Sequence, residues 1–503
     1  MNKKKSLIIG IAVAVVLAAV MLILIFAPKG GGSDDGAATI DEGIDMIATT
    51  DENGIHQVQV QTDKDGSIIN NSYGTLMEYV PAQIKEIHVE NNSGTFDVIS
   101  NTPEGEATVY TIKGFEDFAL QAGEPDLIAN AAATLSFSKV ATVDKDKSGE
   151  FGFDKPRSTV TVTYEDGTKS IITVGSDAPQ AAGTYIKFGT GDAVFVVDTE
   201  TISPFDYSLT DLISKSINDS ADTTDNSQAS SIKLSGTAFD KEIELVPYTD
   251  NKISASYKMK APVERIAGES ESSKVEGGIR GLYATSVSMV NPSDKQLSDL
   301  GLSKPYAHLT AVYPDTTVDL IASKPDGNGN VTLMENGGNV VYVIAADKVP
   351  WTMTSYEKLV SEYVLNPKMT ALTGVKVQAN SKTYEFSLSS HESTTTDDEG
   401  NETTSTVTVV QYGGKEMDLG AFSAFYDTIS LIGLANPDTA GAGGNSVLTV
   451  EYTYADGSSD KVAFTDAGSD LYNATLNGTA AGHCHKADVT RAVKGLEEVI
   501  SVD

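Results

Sequence analysis

Cysteine is nearly absent from this chain of 503 residues, in which Cys484 stands alone. An intramolecular disulfide is therefore impossible, and the folded body must depend on its hydrophobic cores. Tryptophan is equally scarce, with Trp351 as its one example. The sequence also lacks a Gly-x-x-x-x-Gly-Lys-Ser/Thr phosphate loop and a Gly-x-Ser-x-Gly nucleophile elbow. The chain is therefore not itself a P-loop ATPase, and a hydrolase of the cell envelope is disfavoured.

Basic residues are also few, since 36 lysines and arginines face 70 acidic residues and give a formal net charge of −34. A surface of this sign repels phosphate backbones, so we expect no nucleic-acid partner. Apolar residues make up 40% of the chain, which is enough for globular cores and too little for a protein with many membrane spans. The length predicts about three domains.

One long uncharged run occupies residues 6–27, directly after Lys3, Lys4 and Lys5. Its 22 residues reach across the hydrocarbon layer at about 1.5 Å per residue. The sequence therefore predicts a single transmembrane anchor, with residues 1–5 as a cytoplasmic basic flank and the C-terminal body outside the cell. The alternative is a cleaved signal peptide, although signal cores span only about 7–15 residues. The predicted location is the cell membrane.

The remainder of the chain repeats. A tether and lead-in over residues 28–83 precede three predicted units at 84–217, 231–365 and 375–503, of which the third is divergent. Each unit begins with a pair of strands and a third strand, continues through a helix into a short apolar strand, and ends in further strands and a helix. The predicted fold class is α+β, with three tandem, mainly antiparallel sheet-plus-helix units after one N-terminal transmembrane helix.

Turn and helix signals mark the second half of each unit. Asp166-Gly167 and Asp456-Gly457 are typical of hairpin turns between alternating strands. The helix-like stretches that close the units are 204–217, 355–365 and 489–500.

A glycine turn is shared by the first two units, at 151–156 (FGFDKP) and 300–305 (LGLSKP). Glycine permits a tight turn, the next apolar residue anchors it, and proline fixes the entry into the following strand. The third unit has the glycine-rich residues 441–444 instead.

These helices, turns and antiparallel strands resemble the domain-of-unknown-function family 4340. The resemblance is good in the first two units and faint in the third. It implies a membrane-anchored protein encoded beside ABC transporters of the gliding-motility type. No catalytic residues are established for that family, so none is carried over to this sequence. We predict no enzymatic activity, no cofactor and no catalytic, cofactor-binding or metal-site residue.

Two segments contain some of the residues that a metal site needs, but not all of them. His483 and His485 would share one face of a strand, with Cys484 on the other, but a metal site needs three or four ligands. The segment that starts at Asp144 resembles the beginning of a calcium loop, yet its twelfth position is Lys155 rather than glutamate. Both segments are therefore interpreted as structural.

Two functions remain in competition. The first is a non-enzymatic accessory component of an ABC transporter complex, with a permease as the predicted partner. Gly10, Ala14 and Ala18 lie at four-residue spacing on the anchor and would allow close packing on a permease helix, although such patterns are common by chance. The alternative is a cell-envelope module that binds glycan or cations without a transporter.

The predicted topology is tested by adding protease to intact cells whose wall has been removed. We expect the protein to be digested from its C-terminal side, because the lysine flank retains the N-terminus in the cytoplasm. A body that stays protected until the membrane is permeabilised would contradict the assignment.

Overall fold

The computed structural model describes residues 46–69, 71–103, 106–220, 228–396, 402–437 and 444–501. Within these ranges the chain forms one two-stranded and three nine-stranded sheets. Neighbouring strands in them pair antiparallel. The prediction of an α+β protein with mainly antiparallel sheets is confirmed.

The predicted basic flank, anchor and most of the tether, residues 1–45, lie outside the described ranges. So do residues 441–443 of the glycine-rich segment. In the part of the chain that the structure describes, none of the helices combines the length and the apolar character that a membrane crossing requires.

The N-terminal third contains a small hairpin and the first large sheet. The hairpin consists of β1 (Met46–Thr50) and β2 (His56–Val60). The first sheet consists of β3 (Gly74–Glu78), β4 (Ile84–Asn91), β5 (Gly94–Asn101), β6 (Val109–Ile112), β7 (Thr134–Thr142), β8 (Ser158–Tyr164), β9 (Lys169–Asp177), β10 (Thr184–Phe188) and β11 (Val194–Val197).

The second and third sheets follow in chain order. The second consists of β12 (Ser231–Ser235), β13 (Ile243–Pro247), β14 (Tyr257–Ala261), β15 (Arg265–Ile266), β16 (Ser286–Val290), β17 (Ala307–Val312), β18 (Thr317–Ala322), β19 (Asn330–Glu335) and β20 (Val340–Ala345). The third consists of β21 (Leu372–Ala379), β22 (Lys382–Thr396), β23 (Glu402–Tyr412), β24 (Lys415–Glu416), β25 (Asn436–Pro437), β26 (Ser446–Tyr454), β27 (Ser459–Asp466), β28 (Leu471–Leu476) and β29 (Thr479–His485).

Eight strands are arranged in the same order in all three sheets. The order is β6-β5-β4-β8-β9-β10-β11-β7 in the first, β14-β13-β12-β17-β18-β19-β20-β16 in the second and β23-β22-β21-β26-β27-β28-β29-β25 in the third. The ninth strand differs, because β3 lies beside β7 in the first sheet, whereas β15 and β24 lie at the opposite edge of the other two. The predicted lead-in therefore supplies a strand to the first sheet, which the sequence analysis missed.

The helices are short, with two exceptions in the third sheet's region. They are α1 (Glu124–Ala133), α2 (Thr199–Ile202), α3 (Leu209–Leu212), α4 (Glu269–Gly277), α5 (Asp294–Asp299), α6 (Tyr356–Leu359), α7 (Leu419–Ser430) and α8 (Lys486–Val499). The helix expected over 489–500 is α8. The helices expected over 204–217 and 355–365 end at Leu212 and Leu359, because the next residue of each pairs as a β-bridge, Ile213 with Leu120 and Val360 with Ala267.

One face of each sheet carries the hydrophobic core. Alternation along β8 places Val160, Val162 and Tyr164 on that face, all at most 2% exposed. In the first sheet α1 contributes Ile128 to the same cluster, and in the third α7 contributes Phe422. Each nine-stranded sheet therefore has its own principal core beneath its own helices.

The glycine turns cover the opposite face of the first two sheets. Gly152 has φ +85°, and Ser176 on β9 donates a hydrogen bond to the carbonyl of Phe151 at 3.1 Å. Gly301 has φ +75°, and Leu302 beside it is 2% exposed in a separate cluster with residues of β18, β19 and β20. Glycine is needed at both turns because a side chain is strained at such φ values.

Replacing these glycines by alanine tests that requirement. We expect Gly301→Ala to lower the free energy of unfolding by about 1 kcal/mol, because its φ is positive while the surrounding space is open. Gly152→Ala should cost more, since the added Cβ would lie 2.8 Å from the backbone nitrogen of Ser176. Gly327→Ala is the matched control, because that turn glycine has no positive φ and nothing within 4 Å. Urea denaturation measures all three, and equal losses would refute the backbone argument.

Candidate functional site

The His483-Cys484-His485 segment lies on β29 and divides between two faces as predicted. Cys484 is fully buried in the third core, and burial raises the pKa of its thiol to about 12. The thiol is therefore an unreactive part of the core. His483 lies opposite Asn473 of β28, and His485 lies opposite Leu471. Among the described residues no three His, Cys, Asp or Glu side chains are grouped closely enough to hold a metal ion.

The segment that resembles a calcium loop forms a 3-10 turn over Lys145–Phe151. The Asp144 side chain accepts a hydrogen bond from the backbone N–H of Asp146 at 3.0 Å and so caps the turn. Such capping is the ordinary use of aspartate at a helical N-terminus.

A polar and aromatic cluster that sequence reasoning missed joins the lead-in to the first sheet. Nδ1 of His56 and Oγ of Ser170 are hydrogen-bonded at 3.1 Å, and the Tyr164 hydroxyl is 3.0 Å from the same Oγ. The rings of Tyr79 and Tyr164 stack with centroids 4.0 Å apart, and the His56 ring stacks on Tyr79. No spacing signal points to this cluster, because Ser170 follows His56 by 114 positions.

This cluster resembles a nucleophile with its base, yet its burial argues for a structural role. Ser170 is 0% exposed, so a substrate has no access to its hydroxyl. Burial also raises the pKa of Tyr164, which keeps the phenol neutral. Next to the cluster, Lys169 donates its backbone N–H to the carbonyl of Gly54 at 2.9 Å. The cluster therefore fastens the β1–β2 hairpin to the turn between β8 and β9.

A carboxylate with two tyrosine partners fixes α4 on the second sheet. Glu276 accepts hydrogen bonds from the hydroxyls of Tyr257 and Tyr313 and from the backbone N–H of Ala229. Burial raises the pKa of both phenols, and the Glu276 carboxylate raises them further. With its acceptor positions used, Glu276 serves as an anchor for the helix rather than as a catalytic base.

Outside the cores, the most regular feature is the set of contacts that joins one large sheet's region to the next. Each such set of contacts is called a junction. In the first junction, the Ile217 N–H donates to the carbonyl of Leu282 at 2.9 Å, and the Ala284 N–H donates to the carbonyl of Lys215 at 2.8 Å. These contacts join the segment that leaves α3 to the segment that leads into β16. The side chain of Asn218 adds a donor to the Ile279 carbonyl at 2.7 Å.

The second junction repeats these main-chain contacts between the second and third sheets. The Val364 N–H donates to the carbonyl of Ile432 at 3.1 Å, and the Leu434 N–H donates to the carbonyl of Glu362 at 2.8 Å. The paired segments again follow a short helix, α6, and precede a strand, β25. Lys252 from the second sheet's loop reinforces the contact by pairing with Asp456 at 2.8 Å.

In the first sheet β3 takes the place that a preceding sheet takes at the two junctions. Thr75 of β3 pairs with Ser136 of β7, much as Ser216 pairs with Tyr283 and Tyr363 pairs with Gly433. An unpaired strand edge invites association with another chain. The lead-in therefore closes an edge for which the described residues contain no preceding nine-stranded sheet.

The side of the third sheet that the glycine turns cover elsewhere carries polar side chains among the described residues, which do not include residues 438–443. Gln378, Thr449, Ala463 and Thr475 form a row of cross-strand neighbours there. They line a polar trough of about 590 Å³. Lys382 and Lys461 also line this trough, and the described residues around it include no carboxylate. It can therefore accept a polar ligand.

Two histidines, His56 of the β1–β2 hairpin and His88 of the first sheet, predict opposite pH effects on stability. Burial lowers the pKa of His56, opposed by the nearby Asp166, whereas the hydrogen bond that the His88 ring donates to the Asp97 carboxylate raises the pKa of His88. The His56 contribution should fall as pH drops from the ordinary value of 6.5 through its lowered pKa. The His88 contribution should be complete below 6.5 and fall as pH rises through its raised pKa.

Thermal unfolding between pH 5 and 8 (about the range in which histidine titrates) measures these effects. We expect His56→Gln to make the protein relatively more stable on the acidic side and His88→Gln to make it relatively less stable there. Each variant is the control for the other, and a shift of the same sign in both would contradict the assignment.

Comparison with known families identifies one region. Residues 111–265 match the family described as Domain of unknown function (DUF4340). The matched stretch begins in β6 of the first sheet and ends in β15 of the second, and it includes the glycine turn at 151–156. Neither the curated proteins nor the solved structures gave a significant match. The predicted resemblance to the domain-of-unknown-function family 4340 is confirmed over residues 111–265.

Proposed function

We propose that this protein is a non-enzymatic, single-pass membrane protein whose extracytoplasmic body acts as an accessory component of an ABC transporter complex. In this proposal residues 6–27 are the anchor, and the body consists of three tandem repeat units at 84–217, 231–365 and 375–503. The common strand order of the three sheets supports the repeat assignment. The family resemblance supports the association with a transporter.

The repeated junction is the observation that carries this proposal. At both junctions two main-chain hydrogen bonds and a β-bridge join one sheet's region to the next. Such contacts fix the position of one sheet relative to the next, because main-chain pairs cannot slide without breaking their hydrogen bonds. The lead-in is fastened to the first sheet by β3 and the His56 cluster. A partner bound to the third sheet would therefore be held at a set place relative to the lead-in strand β3.

The cell-envelope alternative is favoured by one specific observation, the polar trough on the third sheet. A row of hydroxyl and amide side chains with two lysines provides hydrogen bonds for a glycan and attraction for anionic groups. The trough lacks aromatic side chains among its described lining residues, and aromatic stacking is thus not available to a sugar there. We therefore rank this function second.

Crosslinking in native membranes tests the transporter role. We expect the full chain to be trapped with a permease subunit, and loss of either the native anchor or the ectodomain to reduce transporter assembly or activity. The anchor variant replaces residues 6–27 by an unrelated transmembrane helix and leaves the body intact, so that attachment to a membrane is kept. Unchanged assembly and activity in both the anchor swap and the ectodomain deletion would refute the accessory role.

A second measurement separates the alternative. Full chain in lipid nanodiscs should not sediment with purified peptidoglycan if the transporter role is correct. Sedimentation that is lost in a Lys382→Glu, Lys461→Glu variant, while the permease crosslink is absent, would favour the cell-envelope function.

A further inference from the structure

The hairpin of β22 and β23 extends far beyond the third sheet. β21 pairs with β22 from Lys382 to Ser387, whereas β22 continues to Thr396 and pairs with β23 without a shift of register. The segment from Leu388 to Thr396 spans about 30 Å at the usual rise per residue of a strand. The corresponding strands of the other two sheets, β5, β6, β13 and β14, have at most 8 residues. The third sheet therefore carries a two-stranded ribbon, residues 388–396 and 402–410, that the other two sheets lack.

The ribbon is anchored at its base and exposed beyond it. Leu388 and Val410 at the base are buried in the third core. Ser390 and Glu392 further along β22 are exposed, and Val407 on β23 is 37% exposed. An isolated two-stranded hairpin is only marginally stable in water, and a third strand or a packed face is what stabilises it. A strand added along the ribbon would therefore stabilise it.

The outer edge of β23 directs main-chain groups away from β22. At the base of this edge Met417 donates its N–H to the carbonyl of Val410 at 2.9 Å, so the main chain of Val410 faces the side on which β24 lies. Main-chain groups alternate between the two sides of an antiparallel strand. Thr404, Thr406 and Thr408 therefore direct their N–H and C=O groups to the same side as Val410.

Side-chain contacts within the ribbon support this orientation. The hydroxyls of Ser390 and Thr408 lie 3.1 Å apart, and so do those of Thr394 and Thr404. Cross-strand pairs that exchange no main-chain hydrogen bonds are the pairs whose side chains lie closest together. The main-chain groups of Thr404 and Thr408 therefore point away from β22, and those of Thr394 point to the opposite edge of the ribbon.

This edge of β23 lacks the features that usually protect a strand from pairing. From Thr404 to Val409 the sequence has no proline and no charged residue, and the register with β22 has no bulge. Lysine, proline and bulges are the common means by which edge strands avoid other chains. β24 pairs with Gln411 and Tyr412 at the base of the ribbon, and in the described part of the chain no strand pairs with this edge further out. The edge is therefore open to an added strand.

We propose that the outer edge of β23, at Thr404, Thr406 and Thr408, is a docking site for an extended segment of a partner protein. The segment adds to the ribbon as a third strand, and main-chain hydrogen bonds to the three threonines supply its affinity. β24 is the internal precedent, because it pairs with the same edge at the base of the ribbon.

The charge of the ribbon favours a partner protein over a second copy of this chain. From Thr383 to Gly414 the sequence has six acidic residues and no lysine or arginine. Glu385 is paired with Lys376, whereas the exposed Glu392 has no ion-pair partner among the described residues. Two such ribbons would repel each other, and lysine or arginine beside a partner segment would be attracted. The partner segment is therefore an extended strand with basic residues at its ends.

This inference deepens the proposed function by naming where a partner docks, and it rests on that function only for the identity of the partner. The edge itself is tested with the purified full chain in lipid nanodiscs. A failure here would leave the permease crosslink untouched, and a failed crosslink would leave this binding measurement untouched.

The probe is a fluorescein-labelled peptide in which threonine and valine alternate in the centre and lysines stand at both ends, followed by fluorescence anisotropy. We expect saturable binding that weakens at least tenfold when every central amide nitrogen of the peptide is methylated. Methylation removes the main-chain donors and keeps the charge, so the comparison isolates strand pairing. Absence of saturable binding, or equal binding of the two peptides, would overturn the proposal.

Thr406→Pro removes the outward N–H at the middle of the edge and should weaken peptide binding at least tenfold. Proline is tolerated in an edge strand where the N–H faces solvent, so thermal unfolding should change little. Thr394→Pro is the matched control, because the N–H it removes lies on the opposite edge of the ribbon, and it should leave binding unchanged. Loss of binding in both variants, or in neither, would contradict the assignment to β23.

Two further results complete the test. If Thr406→Pro does not fold, the methylated peptide and the unaltered chain still decide whether the segment pairs as a strand. A dimer of the native chain, detected by light scattering and lost in Thr406→Pro, would assign the edge to a second copy and overturn the proposal.

Discussion

The pairing of exposed strand edges is the constraint on which the rest of the structure depends. In each large sheet, the strand that follows the first helix, or the segment that leads into that strand, lies at an outer edge. The main-chain donors and acceptors at this edge need a partner from outside the sheet. That edge is closed by Thr75 on β3 in the first sheet, by Ser216 in the second and by Tyr363 in the third. An edge left open would invite uncontrolled pairing with other chains. The partner segment always comes from the part of the chain immediately before, so edge closure and the linkage of successive sheets are one and the same interaction.

This linkage explains why the helices after β11 and β20 are short while α8 is long. Ile213 and Val360 must be extended to pair with Leu120 and Ala267, and the extended segment then continues into the next sheet's edge. No sheet follows the third within the described residues, so α8 continues over Lys486–Val499 and packs on α7, burying Val489, Ala492, Leu496 and Val499. Terminal members of tandem arrays commonly differ in this way, because they must cover a surface that a neighbour would otherwise bury. The lead-in strand β3 is the corresponding device at the first sheet.

Local pattern predicted much of the strand framework and little of what joins it. The predicted hairpin turns at Asp166-Gly167 and Asp456-Gly457 lie between β8 and β9 and between β26 and β27, and the turn chemistry at Gly152 and Gly301 followed from glycine's freedom at positive φ. The apolar periodicity at 204–217 and 355–365 predicted helices that are longer than the observed ones. Apolar residues that suit a helix pair there with distant segments of the chain instead. The His56–Ser170 contact and the contacts at the second junction form between segments that are far apart in the sequence. A single sequence has no signal for such contacts, whereas each strand's alternation is visible within a few residues.

The third sheet keeps the common strand order and differs from the other two in the residue types that the described part of its outer face carries. Where the first sheet has Phe151 and the second has Leu302 against the outer face, the third has small polar side chains such as Thr449 and Thr475 in a trough. At the junction that precedes it, Arg265 lies over the ring of Tyr356, whereas the first junction has Phe118 packed against the second core. A sheet face that had simply lost its cover would leave apolar side chains facing water. The trough is instead lined by hydroxyl, amide and ammonium groups. Within the described residues, apolar side chains of the turn segments therefore contact the outer face of the first two sheets, whereas polar side chains line the trough on the third.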